Sequence, residues 1–515
     1  MLVPLGIGDF LDRAALVYGE REAIVDEPGA PGSWGRITYA ELQRRAWGMA
    51  HALDAMGVRA GERVAVVSPN AARFLCSYWG VSAYGRILVP VNYRLNAEEV
   101  KYIVAHSGST VVLVDPEFDA AMSGVEAKHR FVLDGVQDAE LFTPADTPPA
   151  GEPWLRDEND TASINYTSGT TARPKGVQLT HRNCWINAAT FGWHLQVSDR
   201  DVLLHTLPMF HCNGWGMPYA ATGMGATHVV LRKIDGEEIL RRVDAEGVTL
   251  MCGAPAVVAT VLDAAAARRE RGEDIPGRDR VRIVVAGAPP PSKTIERVET
   301  ELGWEFNQIY GLTETAPLLT INRTRAEWDG LDPVERSRML ARAGTPAFGV
   351  RMRVDDNGEL CARANEVFAG YWEQPEETAK AIVDGWFHTG DGGYLDEAYV
   401  AISDRKKDVI ITGGENVSSI EVEDALFQHP AVAEVAVIGV PDERWGEMVK
   451  ALVVLRPGET VAEADLIAFA KGRLAGYKCP KSVEFRAELA RTATGKLQKF
   501  KLRQPYWEGQ ERLVN

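Results

Sequence analysis

Cysteine is scarce and never clustered. The 515 residues hold six, Cys76, Cys184, Cys212, Cys252, Cys361 and Cys479, scattered singly. No CxxC pair occurs and no Cys/His cluster suggests a zinc site, so reduced, mostly buried thiols are expected. Positive charge is also short. Fifty-six Lys and Arg face 72 Asp and Glu, a net charge of -16. Such a surface repels phosphate backbones, which argues against nucleic acid as a partner. Unbroken apolar runs are missing as well. The longest uncharged stretch, Thr206 to Leu231, is interrupted by Asn213, Gly214, Gly216, Pro218 and Gly223. Turns and a pocket wall are expected there, not a membrane span. The first residues, MLVPLGIGDFLD, lack a basic segment and carry Asp9 and Asp12 early. No signal peptide is expected, and the cytoplasm is the expected compartment. No fixed-period repeat or low-complexity tract occurs, and Pro148 and Pro149 mark a loop.

What is present is the composition of an ordinary globular protein, 45% hydrophobic and 25% charged. A chain this long organises more than one core, so at least two domains are expected. Short β-branched runs at 62–68, 111–115, 227–231 and 281–286 alternate with helical stretches such as 38–56 and 257–271. That alternation predicts an α/β fold whose mostly parallel sheets are covered by helices. Around 346–403 short strands and Gly turns predict a small antiparallel barrel or sheet. After the charged cluster DRKKD (404–408), strands at 433–439 and 450–455 and helices at 418–428 and 461–474 predict a compact α+β unit. The expected division is an N-terminal domain over 1–404, a hinge over 405–407 and a mobile C-terminal domain over 408–515.

The segment YTSGTTARPKGV (166–177) carries the most chemistry. Ser168, Thr170 and Thr171 offer hydroxyls, Gly169 permits close backbone approach, and Lys175 supplies charge, a set suited to phosphate oxygens. It is not a Walker A loop, because Lys175 precedes Gly176 and Pro174 stands where the second glycine belongs.

This loop resembles the phosphate-binding signature of the adenylate-forming superfamily, in its acyl-CoA ligase branch. Matching motifs follow in the expected order along nearly the whole chain. YGLTET (310–315) is similar to the motif in which Tyr310 stacks on adenine, Gly311 keeps the backbone clear and Glu314 holds Mg²⁺. Gly287, Ala288 and Pro289 resemble the strip covering the other adenine face, with Gln308 beside it. WFHTGD (386–391) resembles the segment whose Asp391 accepts both ribose hydroxyls, with Arg405 as the implied second contact. Lys407 falls at the hinge position. Gly413 and Gly414 resemble a loop lining the pantetheine tunnel, and RTATGK (491–496) resembles the motif bearing the adenylation lysine, Lys496. PMFHCNGWGMP (208–218) resembles the acyl-pocket segment, with His211, Asn213, Gly214, Trp215 and, from the other motif, Gly311 around the substrate.

The resemblance implies ATP, Mg²⁺ and coenzyme A as cofactors. Lys496, Thr170, Glu314 and His211 are the implied catalytic residues, Glu314 and Thr170 the metal ligands, and Thr167 to Thr171, Thr313 and Lys175 nucleotide contacts. A carboxylic acid is joined to AMP and then to coenzyme A. Gly214, Gly216, Gly223, Gly225, Gly253 and Ala254 are small, which suggests room for a bulky apolar acid. Three residues depart from the pattern: Ala172 and Ala364 replace glycines, and Ala490 replaces a proline. Ala172 raises an alternative in which adenylation is impaired while thioester formation from supplied acyl-AMP survives. Transfer to a carrier protein or an amine, and a non-catalytic nucleotide-binding protein, are further alternatives. The oligomeric state stays open, a homodimer included.

Overall fold

The computed structural model describes residues 1–149, 157–167, 174–405, 408–412, 415–442, 445–491 and 497–507, with Ser403, Asp404, Arg405 and Asn416 described by backbone alone. Among the described residues, two helix-covered sheets organise the larger part. One has seven strands, and its parallel portion runs Thr161–Thr167, Ile87–Val91, Arg63–Val67, Ser109–Val114, His129–Val132. The other has nine, with a parallel centre ordered Glu305–Gly311, Arg282–Val285, Leu250–Gly253, Val202–His205, Thr227–Val230, Glu22–Val25.

The alternation of strand residues explains the layering. Val64 and Val66 enter one core, while Ala65 and Val67 enter another on the opposite face. Leu203 and Leu204 divide in the same way. Helix Ala72–Ser82 has all of its residues buried, because it lies in the core that both sheets share. The helix expected at 38–56 is Tyr39–Ala55, started by the Thr38 side chain accepting from Glu41 N–H. The expected 257–271 helix is Pro255–Glu270, with proline at its first turn.

The segment expected as a small barrel or sheet is a five-stranded antiparallel sheet, open at Arg351–Val354 and Ile382–Val383. Beyond Asp408, strands Val432–Asp442 and Gly446–Leu455 and helices Ser419–Phe427 and Glu463–Lys471 form an α+β unit around its own apolar clusters. No helix among the described residues is long and apolar enough to cross a membrane.

A buried histidine pair makes the fold sensitive to acid. His205 Nε2 lies 3.0 Å from His228 Nδ1, and His228 Nε2 lies 2.9 Å from Thr222 Oγ1. Burial pushes His205 down to about 3 and His228 well below its ordinary value. Both folded values lie below the unfolded one, so the stabilisation is complete above about pH 6.5 and declines as pH falls toward 3. Each histidine contributes a slope of about 1.4 kcal/mol per pH unit inside that window. Glu366 acts oppositely, since burial pushes its carboxyl up to about 7, but it offsets only one histidine. The urea midpoint should fall measurably from pH 6.5 to 5, and a His205→Leu/His228→Leu double variant should flatten that fall.

Candidate active site

The phosphate segment sits on a hairpin. Strands Thr161–Thr167 and Lys175–Thr180 pair antiparallel, with Thr167 opposite Lys175 at its root. The second strand was not expected from sequence, and it fixes Lys175 at the mouth of the turn. Thr180 then closes a capping box with Asn183, which starts helix His181–His194. Ser168, Gly169, Thr170, Thr171 and Ala172 lie outside the described residues, as do Lys407, Gly413, Gly414 and Lys496. The bases of the Lys496 segment are described: Arg491 and Leu497 form an antiparallel bridge, and Gln498 N–H donates to Ala490 O at 2.8 Å.

Strand Glu305–Gly311 delivers the next group of side chains. Tyr310 O–H donates to Asp391 Oδ2 at 2.8 Å, so two motifs 81 residues apart meet. Both residues are buried. Asp391 N–H donates to Thr389 Oγ1 at 3.1 Å, and Gly390 N–H to Glu359 Oε1 at 2.7 Å, which fixes the loop. The Arg405 backbone stands directly across from Asp391 in the sheet. Gln308 pairs in register with Val285, the last residue of the strand preceding Gly287, Ala288 and Pro289. Gln308 is buried, and its Oε1 has no hydrogen-bond partner among the described residues.

Glu314 lies in the short turn Thr313–Thr315 after that strand. Tyr371 O–H donates to Glu314 Oε1 at 2.9 Å, and Phe368 N–H to the Glu314 backbone oxygen at 2.8 Å. Burial, then the adjacent Glu314, push the Tyr371 phenol above its usual range, so it remains a donor. Lys175 pairs with Glu377 and stands 4.9 Å from the centre of the Tyr371 ring. Lys175 first, then Lys380, hold the Glu377 carboxyl down at about 2. A cleft of about 320 Å³ opens among these groups, lined by Lys175, Glu314, Tyr371, Glu377, His388 and Gly390. Tyr371, Glu377 and His388 were not named as site residues: nothing near Tyr371 and Glu377 in sequence distinguishes them, and within WFHTGD the signal falls on Asp391 and not on His388.

The acyl-pocket segment is a left-handed turn. Five consecutive residues, Cys212, Asn213, Gly214, Trp215 and Gly216, have φ of 48°, 52°, 59°, 60° and 75°. Three of them bear side chains, each at a cost of about 1–2 kcal/mol, so the neighbours must enforce the conformation. Asn213 Nδ2 donates to Ser163 Oγ at 2.8 Å, Asn165 Nδ2 to Asn213 Oδ1 at 3.2 Å, and Asn187 Nδ2 to Trp215 O at 3.1 Å. The first two bonds tie the turn to the strand that feeds the phosphate hairpin, and the third ties it to helix His181–His194. His211 is half-buried at its start, and Cys212 Sγ lies 3.9 Å from Thr313 O. At three of the small residues the volume that a Cβ would take is already occupied. A Cβ on Gly216 would stand 2.3 Å from Asn187 Nδ2, one on Gly223 2.6 Å from Phe10, and one on Gly225 2.3 Å from Tyr18. These glycines are small because their neighbours already fill the volume.

The fold and this cleft define a nucleotide-binding α/β protein with an appended α+β unit. The AMP-binding enzyme family matches residues 11–372, and the AMP-binding enzyme C-terminal domain matches 421–496. A 2-methylpropanoate–CoA ligase, CCL4, of Humulus lupulus is 36% identical over 98% of this chain and 94% of its own. A 4-hydroxybutyrate–CoA ligase of Metallosphaera sedula is 36% identical over 96% of this chain and 93% of its own. Among solved structures, ATP-bound MatB from Rhodopseudomonas palustris superposes with a TM-score of 0.84 at 30% identity, covering 97% of this chain and 99% of that one. The anthranilate CoA ligase AuaEII in complex with anthranoyl-AMP gives 0.87 at 26%, covering 98% of each. The chain belongs to the AMP-binding enzyme family, in its acyl-CoA ligase branch, and is an ATP-dependent carboxylate–CoA ligase.

Proposed function

We propose that this ligase activates a compact apolar carboxylic acid as acyl-AMP and passes the acyl group to coenzyme A. The Tyr310–Asp391 hydrogen bond carries this reading, since it joins an aromatic face and a diol-accepting carboxylate beside the cleft of Glu314 and Lys175. Compactness is supported by the filled glycine sites and by the short acids in the names of the two ligases above.

The Gln308 carbonyl oxygen, buried without a partner, suits the exocyclic amine of adenine. Gly287, Ala288 and Pro289 lie along one ring face and Tyr310 along the other. Asp391 and Arg405 hold the ribose, while Thr167, Ser168, Gly169, Thr170, Thr171 and Lys175 hold the phosphates. The Glu314 carboxylate, an oxygen donor at an open cleft, fits a hard cation, and with Thr170 it would hold Mg²⁺, which supplies charge neutralisation to the phosphates. Lys175 pairs with Glu377 and would exchange that partner for a phosphate oxygen. His211, Asn213, Gly214, Trp215 and Gly311 bound the acid.

The acid carboxylate attacks the α-phosphorus, and pyrophosphate leaves. Lys496 stabilises the charge that develops on the phosphoryl oxygens. Rotation of 408–515 about the 405–407 hinge, centred on Lys407, then withdraws Lys496 and brings Gly413 and Gly414 to the pantetheine. The coenzyme A thiolate attacks the acyl carbon and AMP leaves.

The two half-reactions separate in one variant. Lys496→Ala should lower acid-dependent pyrophosphate release about 10²–10³-fold, while coenzyme A capture of synthetic acyl-AMP stays near the wild-type rate. Equal loss in both would remove Lys496 from the first step alone. The overall proposal is tested with a panel of short and branched acids, ATP and either coenzyme A, a phosphopantetheinyl carrier or an amine. Thioester to coenzyme A is expected to predominate. Pyrophosphate release with no coenzyme A product would overturn it.

A further inference from the structure

Cys361, His388, Glu359 and Asp355 converge at one corner of the five-stranded sheet, on the wall of the cleft. Cys361 and His388 are register partners on adjacent antiparallel strands, so their side chains share a face. One ligand atom from each of Asp355, Cys361 and His388 lies within 4.8 Å of the others. Cys361 Sγ stands 3.6 Å from His388 Nδ1, and the same nitrogen stands 3.3 Å from Glu359 Oε2.

Two chemistries use cysteine, histidine and carboxylate together. A nucleophilic relay needs the thiol and the carboxylate on opposite nitrogens of the ring. Here the sulfur stands 3.6 Å from Nδ1 and 4.0 Å from Nε2, so it is aligned with neither nitrogen alone and lies nearer the one that the carboxylate also approaches, which disfavours a relay. Chelation needs the donors within reach of one ion, and one ligand atom from each of Asp355, Cys361 and His388 meets that condition. With metal–sulfur and metal–nitrogen bonds of about 2.3 and 2.0–2.1 Å, a tetrahedral angle separates S from N by about 3.6 Å and N from a carboxylate O by about 3.3 Å. The S–N separation stands in the protein for Cys361 and His388, and the N–O separation for His388 and the adjacent Glu359, while Asp355 lies within 4.8 Å of the other donors.

Burial, then Glu359 and Asp355, push the Cys361 thiol up, with Arg353 opposing them. Arg353 also lies over the Trp386 ring at 4.6 Å. A bound cation would relieve the crowding of acceptors and convert the thiol to thiolate, releasing its proton to solvent.

We propose that Asp355, Cys361 and His388, with Glu359 beside them, form a site for one thiophilic divalent cation of the Zn²⁺ class. The site is coupled to the nucleotide cleft. Glu359 also accepts from Gly390 N–H, next to Asp391, so a cation that draws Glu359 or His388 inward disturbs the residue that holds Tyr310. Sequence spacing gave no sign of it, because the three donors meet only across paired strands.

Co²⁺ titrated into the full-length protein tests this directly. One equivalent should give a near-ultraviolet sulfur-to-cobalt charge-transfer band and the intense visible bands of tetrahedral cobalt, both bleached by Zn²⁺. Below the thiol pKa, affinity should rise about tenfold per pH unit as the thiol proton is released. Cys361→Ser should abolish the near-ultraviolet band, and so should His388→Asn, which alters a more exposed position. No such band in the wild type, or an unchanged band in Cys361→Ser, overturns the site. Bound Zn²⁺ should also raise the KM for ATP severalfold in wild type and not in Cys361→Ser. An unchanged KM with Zn²⁺ bound overturns the coupling to Asp391.

Discussion

Glu314→Gln is expected to slow acyl-AMP formation about 10²–10³-fold with the fold intact. Glutamine keeps the shape of the side chain and an oxygen for Tyr371 O–H, which donates at 2.9 Å in the native protein. What it removes is the negative charge at the cleft, the property that fits Glu314 to a hard cation. The loss should therefore appear in ATP–pyrophosphate exchange and should not be recovered by more acid substrate. Tyr371→Phe supplies the comparison. It deletes one hydrogen bond to a charged group, worth about 1.5–3 kcal/mol, and leaves the carboxylate in place. Its effect should be smaller, about 10-fold to 100-fold, and partly recovered at high Mg²⁺. Wild-type exchange by Glu314→Gln would remove this residue from the chemistry.

Gly311→Ala should be the most damaging single methyl in the cleft. A Cβ there would stand 1.5 Å from Pro317 O, 2.7 Å from Pro317 C and 3.2 Å from Leu319 N. All three are backbone atoms, and no rotamer relieves a Cβ. Strand Leu318–Asn322 pairs with Glu305–Gly311 through an irregularity between Tyr310 and Gly311. Relief therefore requires that pair to separate, which displaces Tyr310 from Asp391 and Glu314 from Tyr371 together. Overpacking of this kind costs about 1–3 kcal/mol, and adenylation should fall more than about 100-fold. Gly390→Ala is the control. Gly390 has φ of 76°, but a Cβ there meets nothing among the described residues within 4 Å, so the cost is conformational, about 1 kcal/mol. Urea midpoints separate the two effects. A Gly311→Ala protein with native midpoint and native activity would show that the strand pair yields freely.

Much of the fold was legible because its signals are local. Short β-branched runs such as 62–68 and 281–286 became Arg63–Val67 and Arg282–Val285, and the helix expected at 418–428 became Ser419–Phe427. A buried strand must be apolar and β-branched whatever lies around it, so these runs announce themselves. Of the cleft, the motif residues Lys175, Tyr310, Glu314 and Asp391 were legible, since each combines a functional group with glycine or a turn nearby.

The sequence by itself determined the α/β class with helix-covered sheets and the order of the motifs. Tertiary structure alone decided which partners the motif side chains have. Glu377 holds Lys175, Tyr371 holds Glu314, and Asn187 pins a left-handed turn that no propensity favours. It also decided that glycines suggesting vacancy are glycines because Phe10, Tyr18 and Asn187 occupy the space. The physical reason is range. Periodicity and turn chemistry act over a few residues, whereas an ion pair, a steric limit or a cluster of donors depends on segments that only packing brings within a few ångströms.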